Sequence, residues 1–566
     1  MTTPAPLAGA GRVAGAAALI AVLTVVSRLA GFGRTAVFTW VVEKSDLGGM
    51  YVVANFVPNI IFEIVAGGAL ASLVVPLLAG PVAAGDRRAV AATTGALLTW
   101  TLTLLVPLAV LVALFAGPAV DLISEGRSPA ELASGERMLR VFAPQLPLYG
   151  IGIVLTGVLQ AHRRFAWPVI APLLSSLTVI VVYLVFGGVE GRGAGVAEVG
   201  RGGELILSAG TTLGVVVLSL SLLIPLRRLG LRPRPGYAFP ADARARVGGL
   251  AVAGAVTVTA QQIALLVVLN RVSGGPTGSP QVFVLAQTIY LLPWAVLAVP
   301  LATAAYPTLA AAMAGGDEPS YLRTLAGTTR GVLLLSFLGT AALVGTAGPV
   351  AAFFYPGDPG STAAAIVGFA PGLLGYGLFA VLSRALYARG DTRLATVAIT
   401  AGWLAVPLVA VPLAALLPAA DRVLAVALGN SVGMLLLGGL LLVAVRRAAG
   451  PAALAGTTRA GAAGLLGGAL AALAGVTAAR ALDTAGDGTP TTLAALGQGM
   501  LSGVLVGVVF LAAVWVIDRP DVRPLLAGVL RRLSRTGRRT GARDDGGAQE
   551  EGTPPERGDG KETVSR

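Results

Sequence analysis

Fourteen mostly apolar stretches of roughly 20 or more residues follow one another along the chain. They lie at about 13–40, 50–79, 89–117, 138–160, 166–187, 204–226, 248–271, 282–313, 325–348, 362–388, 394–417, 422–445, 460–482 and 493–517. A run of that length is long enough to cross the hydrocarbon core of a bilayer as a helix. No irregular chain can do so, because an unpaired backbone group in hydrocarbon costs several kcal/mol. Composition agrees with this reading. Charged residues make up 12% of the 566, about half the supply of a soluble domain. The sequence therefore predicts an all-α polytopic membrane protein with about 14 transmembrane helices, and argues against a soluble enzyme or a disordered chain. There is no cysteine and a single histidine, His162. Neither thiolate chemistry nor a Cys or His metal cluster is expected, and no cofactor.

The first stretch carries Arg12 as a basic flank, as a signal peptide would, but its apolar sequence runs on past signal length and contains Arg28 and Arg34. Retention as a first span is the expectation. The net charge of +13 could mean nucleic acid or a membrane surface. Counting Lys and Arg by loop, with both termini inside, puts 29 on the inner side and 9 on the outer, with Arg28, Arg34 and Arg384 inside spans. That bias predicts cytoplasmic termini in a multi-pass cytoplasmic membrane protein. It also removes the need for a nucleic-acid partner.

Residues 142–161, FAPQLPLYGIGIVLTGVLQA, match 369–388, FAPGLLGYGLFAVLSRALYA, at ten of twenty positions without a gap. Phe142 pairs with Phe369, Pro144 with Pro371 and Tyr149 with Tyr376. A weaker echo sets 67–79 against 298–310, with Pro76 opposite Pro307. Six helices separate the paired segments, so the repeats are parallel. The expected organisation is a six-helix lobe at 1–230, a basic linker at 231–247, a second six-helix lobe at 248–447, two further helices at 448–517 and a polar cytoplasmic tail at 518–566. The composition of the tail predicts disorder. Facing duplicated lobes suggest a transporter that rocks about a central site.

Ionisable residues inside spans cost roughly 2.5–3.5 kcal/mol on insertion scales and so face cavities or partners. Arg28, Gly31 and Arg34 fall on one sector of the first helix at i+3 steps. That pattern suggests a phosphate-facing stripe, because guanidinium binds phosphate with two prongs; the bland alternative is snorkelling to the surface. Gly31 and Gly33 could let the helix bend. Glu63 could pair with Arg28 or Arg34, or take part in ion coupling. Arg384 could face the cavity or reach the inner interface. Asn55, Asn59, Gln145, Gln261, Gln262, Gln287 and Asn430 are read first as helix–helix hydrogen bonds and second as cavity lining. Pro58 and Pro293 are expected to kink or interrupt their helices.

SRLAGFGRTAVF at 27–38, VPNIIFEIVAGGALASLVVPLLA at 57–79, LQAHRRFAWPVIAPLL at 159–174, LLPWAVLAVPLATAAYPTLA at 291–310 and VLSRALYARGDTR at 381–393 together resemble the MviN/MurJ-type lipid II flippases. These belong to the multidrug/oligosaccharidyl-lipid/polysaccharide exporter superfamily. The resemblance runs from about 20 to 450. It implies a flippase carrying a polyprenyl-pyrophosphate-linked peptidoglycan precursor to the outer leaflet, with a cationic cavity between lobes and a lipid-tail groove at the last two helices. Two of the family's cavity arginines match Arg28 and Arg34. Two others fall on Phe62, just before Glu63, and on Thr288, and the acid after the second arginine falls on Thr35. The implied cavity is less cationic than the family's unless Arg384 compensates. Other readings stay open: export of another polyprenyl-linked glycan or of drugs, a membrane glycosyltransferase with Glu43 or Asp46 as base, or a transport-inactive scaffold. The implied partners are a lipid-linked glycan, membrane lipids and, through the tail, cell-wall synthesis or division proteins.

Overall fold

A computed structural model describes residues 8–64, 71–238, 248–484 and 491–517; the tail and part of the linker lie outside the described residues. Every regular element among the described residues is helical. The first half contains α1 (Ala8–Val42), α2 (Asp46–Glu63), α3 (Ala71–Ala83), α4 (Arg87–Leu114), α5 (Ala116–Ile123), α6 (Pro129–Phe142), α7 (Gln145–Ala161), α8 (Trp167–Val189), α9 (Arg201–Ser221) and α10 (Leu223–Arg228). The second contains α11 (Gly248–Ser273), α12 (Ser279–Pro293), α13 (Val299–Ala314), α14 (Glu318–Phe354), α15 (Gly360–Phe369), α16 (Gly372–Arg389), α17 (Thr392–Leu416) and α18 (Arg422–Ala449), followed by α19 (Thr457–Thr484) and α20 (Thr492–Ile517). Each of the fourteen expected segments holds a helix or a broken helix. The count of fourteen spans is not reached: eleven helices or joined helices among the described residues are long and apolar enough to cross a membrane, or twelve with the bent pair α15–α16.

Side-chain caps start several of these helices. The Ser45 hydroxyl accepts from Gly48 N–H at α2, and Asp86 accepts from Arg88 and Ala89 at α4. Ser128 and Glu131 form a reciprocal capping box at α6, satisfying donors that a helix start leaves orphaned. Apolar burial then gathers the halves separately. One cluster, including Phe283, Phe369 and Met434, belongs to the second half. Two others, around Phe142 and around Leu155, belong almost wholly to the first.

The repeat is visible as geometry. FAP at 142–144 and at 369–371 forms the same helix–break–helix, from α6 into α7 and from α15 into α16. Both phenylalanines are buried, Phe142 edge-on to Tyr51 and Phe369 stacked on Tyr290. Pro293 interrupts its span as expected, giving a π-helical turn at Trp294–Ala298 before α13. Pro58 is carried inside α2 without a break as far as Glu63, and α1 runs unbroken through Gly31 and Gly33.

Residues 231–238 of the linker have no regular secondary structure. Residues 236 and 237 are tied to α4: Gly236 N–H donates to Thr99 Oγ1 at 3.1 Å, and Trp100 Nε1 to the Tyr237 carbonyl at 3.1 Å. The last two helices pack on α14, where Gly345 and Gly475 bring the α14 and α19 backbones together. Gly375 performs the same service inside the second half. A Cβ there would overlap the Met434 carbonyl of α18, a backbone atom that cannot rotate away. Gly375→Val is expected to cost about 1–3 kcal/mol as overpacking, read as a lower unfolding temperature in detergent.

Candidate functional site

Polar contacts between the two halves gather at one end among the described residues. Lys44 Nζ lies 2.6 Å from Asp358 Oδ2 and donates to Ser361 Oγ at 3.1 Å. Gln281, buried, donates to the Ser45 carbonyl at 2.6 Å. Arg127 donates to the Ser273 carbonyl at 2.6 Å, Asn270 to the Leu122 carbonyl at 3.0 Å, and Arg271 lies 3.4 Å from Glu125. Arg127 also donates to the Gly275 carbonyl at 3.3 Å and Lys44 to the Asp358 carbonyl at 2.7 Å. These contacts join the α1–α2 and α5–α6 loops to the α11–α12 and α14–α15 loops. Gly278, with φ +87°, allows the closest approach: a Cβ there would run into Lys44.

Away from this seal a cleft lies between the halves. At 1.5 Å per helical residue, Arg34 lies about 12 Å, Arg28 about 21 Å and Glu63 about 26 Å along their helices from the sealed end. A cleft of about 210 Å³ is lined by Phe56, Asn59, Ile60 and Glu63 of α2 and by Gln261, Gln262 and Leu265 of α11. It lies between the two halves, as the duplication implies for a transport site.

Arg28 and Arg34 are exposed, with Gly31 and Gly33 between them facing open space. Neither arginine has an ion pair among the described residues, and neither does Glu63, so the expected pairing of Glu63 with them does not form. Arg34 is close enough for its charge to act on the hydroxyls of Tyr51, Tyr149 and Tyr183, and that of Glu63 on Tyr149 and Tyr376. Tyr149 is thus a common neighbour of Arg34 and Glu63. Tyr149 and Tyr376 are the repeat-related tyrosines, and both stand on aromatic partners: Phe62 at 4.4 Å between ring centroids and Trp294 at 4.7 Å.

The positions that depart from the family pattern are occupied otherwise. Phe62 is committed to the Tyr149 ring, and the Thr288 hydroxyl donates to the Val284 carbonyl of its own helix at 2.7 Å. Thr35 likewise donates to Gly31 at 3.4 Å. Arg384 does not take their place. It is half-buried, bonds to the Ala380 carbonyl one turn back, and neighbours Tyr306 and Tyr387.

Among the polar residues, Gln145 makes the expected helix–helix bond, donating to Thr212 Oγ1 at 3.0 Å. Asn59 accepts from Tyr149 at 3.1 Å, while Asn55 keeps a buried oxygen without a partner. Gln287 and Asn430 line a separate small cavity within the second half, beside Phe283 and Phe369, rather than the central cleft. No cluster of metal-ligating side chains occurs among the described residues. Reasoning from sequence missed the seal. Lys44 and Asp358 are 314 residues apart, and nothing local marks them as partners.

Comparison with known proteins agrees with this architecture. A family model described as "Lipid II flippase MurJ" matches residues 44–484. A probable lipid II flippase MurJ from Rhizobium meliloti is 28% identical over 389 residues, covering 65% of this chain and 69% of that protein. One from Synechocystis is 27% identical over 238 residues, covering 40% of this chain and 42% of its own length. A solved lipid II flippase MurJ in an inward closed conformation superposes with a TM-score of 0.67 at 19% identity, over 88% of this chain and 98% of that one. At that identity the likeness is one of fold.

Proposed function

Because the chain belongs to the lipid II flippase MurJ family, we propose that it moves a polyprenyl-pyrophosphate-linked peptidoglycan precursor across the cytoplasmic membrane by alternating access of its two lobes. The observation that carries this reading is the pair of exposed arginines, Arg28 and Arg34, which have no ion-pair partner among the described residues and flank glycines that face open space. A guanidinium without a carboxylate in a membrane protein is held ready for an anion, and a pyrophosphate supplies one with matching two-pronged geometry. The prenyl chain stays in lipid while the headgroup passes between the lobes.

The lobes are residues 1–230 and 248–447. The excess of Lys and Arg at the opposite end assigns the sealed end to the outside and both termini to the cytoplasm. The test is rescue: expression of this chain in cells depleted of their lipid II flippase restores growth, and failure to rescue despite membrane insertion overturns the reading.

Phe62 and Thr288 favour a second reading, in which the glycan differs from that of lipid II, since no cation replaces the two missing ones. Flipping of a different polyprenyl-linked glycan in proteoliposomes, without flipping of lipid II, supports that reading. The Arg-rich start of the tail has the composition of an anchor to anionic lipid, with no part in transport. Truncation after residue 530 is expected to leave flipping in proteoliposomes unchanged, and a loss of flipping would give the tail a further role.

A further inference from the structure

Gln262 is 4% exposed, lines the central cleft and makes no hydrogen bond among the described residues. Buried amides are almost always satisfied, so this one has donors and an acceptor waiting for something in the cleft. Its neighbours share the same chemistry. Asn59 spends its oxygen on the Tyr149 hydroxyl, which leaves its amide hydrogens available. Gln261 also lines the cleft, Glu63 offers a carboxylate acceptor, and Phe56 supplies an apolar wall. Among the described residues no Lys or Arg lines it, so a phosphate finds no cation there. Neutral amides, one acceptor and an aromatic wall match the hydroxyls and C–H faces of a sugar ring. The Tyr149 hydroxyl donates to Asn59 in the cleft and feels the charge of Arg34, which couples the cleft to the α1 arginine that would hold the pyrophosphate.

We propose that the cleft formed by Asn59, Glu63, Gln261 and Gln262 is a sugar subsite, which recognises the uncharged glycan next to the pyrophosphate and separates substrates by their sugar. This rests on the flippase reading and adds a division of labour to it. The charges of α1 hold any polyprenyl pyrophosphate, whereas the amides of α2 and α11 tell one glycan from another. The two helices belong to different lobes, so a sugar bound here touches both moving bodies.

The test measures binding to the full-length protein in nanodiscs of three probes: polyprenyl pyrophosphate, the same lipid bearing a disaccharide without peptide, and the peptide-bearing precursor. The wild-type protein is expected to bind the disaccharide lipid more tightly than the bare pyrophosphate. Gln262→Leu is expected to weaken the disaccharide lipid about tenfold, the size of an unmade buried hydrogen bond, and to leave the bare pyrophosphate unchanged. Glu63→Gln reads the same contrast should Gln262→Leu lower the unfolding temperature. Equal losses for both lipids, or no loss for either, overturn the subsite. A loss confined to the peptide-bearing precursor assigns the cleft to peptide and also overturns it. If the wild-type protein binds none of the three, the flippase reading falls with it; if it binds all three equally, only the subsite does.

Discussion

Arg28→Ala abolishes flipping in proteoliposomes while leaving folded protein in the membrane. Both halves of that expectation come from the same geometry. Arg28 is exposed and has no carboxylate partner among the described residues, so its removal strands no buried charge. Folding is unaffected or slightly favoured, because a guanidinium inside a span costs free energy on insertion. Transport loses a charge-assisted contact to the pyrophosphate, worth about 1.5–3 kcal/mol, or roughly ten- to a hundredfold in binding. Flipping falls further, because the pyrophosphate must leave water only once its charges are met. Arg34→Ala is expected to act in the same direction. Normal transport by Arg28→Ala, at equal amounts of reconstituted protein, would remove the phosphate role.

Locking the sealed end stops transport altogether. The chain has no cysteine, so Lys44→Cys with Asp358→Cys introduces the only two thiols. The side chains they replace approach to 2.6 Å across the lobe interface. A short bifunctional thiol reagent is expected to join them in nearly all molecules and to reduce flipping to background, with a reducible reagent restoring it on cleavage. Either single cysteine variant, treated identically, keeps most of its activity. An exposed ion pair contributes only about 0.2–1 kcal/mol, and the remaining contacts from Gln281, Arg127 and Asn270 still close the seal. Transport that continues through the crosslink would mean that this end need not open.

The seal and the arginines differ in how far the sequence reveals them. Arg28 and Arg34 interrupt an apolar run, and a charge in such a run is visible without any partner. Phe142 and Phe369, with their prolines and tyrosines, announce the duplication because equal sequence at equal spacing folds alike, and the breaks at 143–144 and 370–371 follow. Pro293, with its missing N–H and ring clash, was legible as a break and gives a π-helical turn, whereas Pro58 is carried inside α2 without one. Glu63 was legible as a cavity residue and lines the cleft, but of the two roles open to it the ion pair with Arg28 or Arg34 does not form among the described residues. The linker was legible as a basic connection, but its attachment to Trp100 depends on a helix more than a hundred residues earlier.

What the sequence determined by itself is whatever the bilayer imposes one residue at a time: the helical class, the span positions, the bias of basic loops and the twofold repeat. Hydrocarbon tests each segment for apolarity and backbone satisfaction independently of the others, so those properties are local and can be read along the chain. Tertiary structure alone decided which polar groups meet. Lys44 reaches Asp358, Phe62 covers Tyr149, and Gln262 is left facing a cleft with nothing to bond. Each outcome depends on how two lobes pack at a distance of tens or hundreds of residues, and a single buried hydrogen bond has no periodicity by which the sequence could announce it.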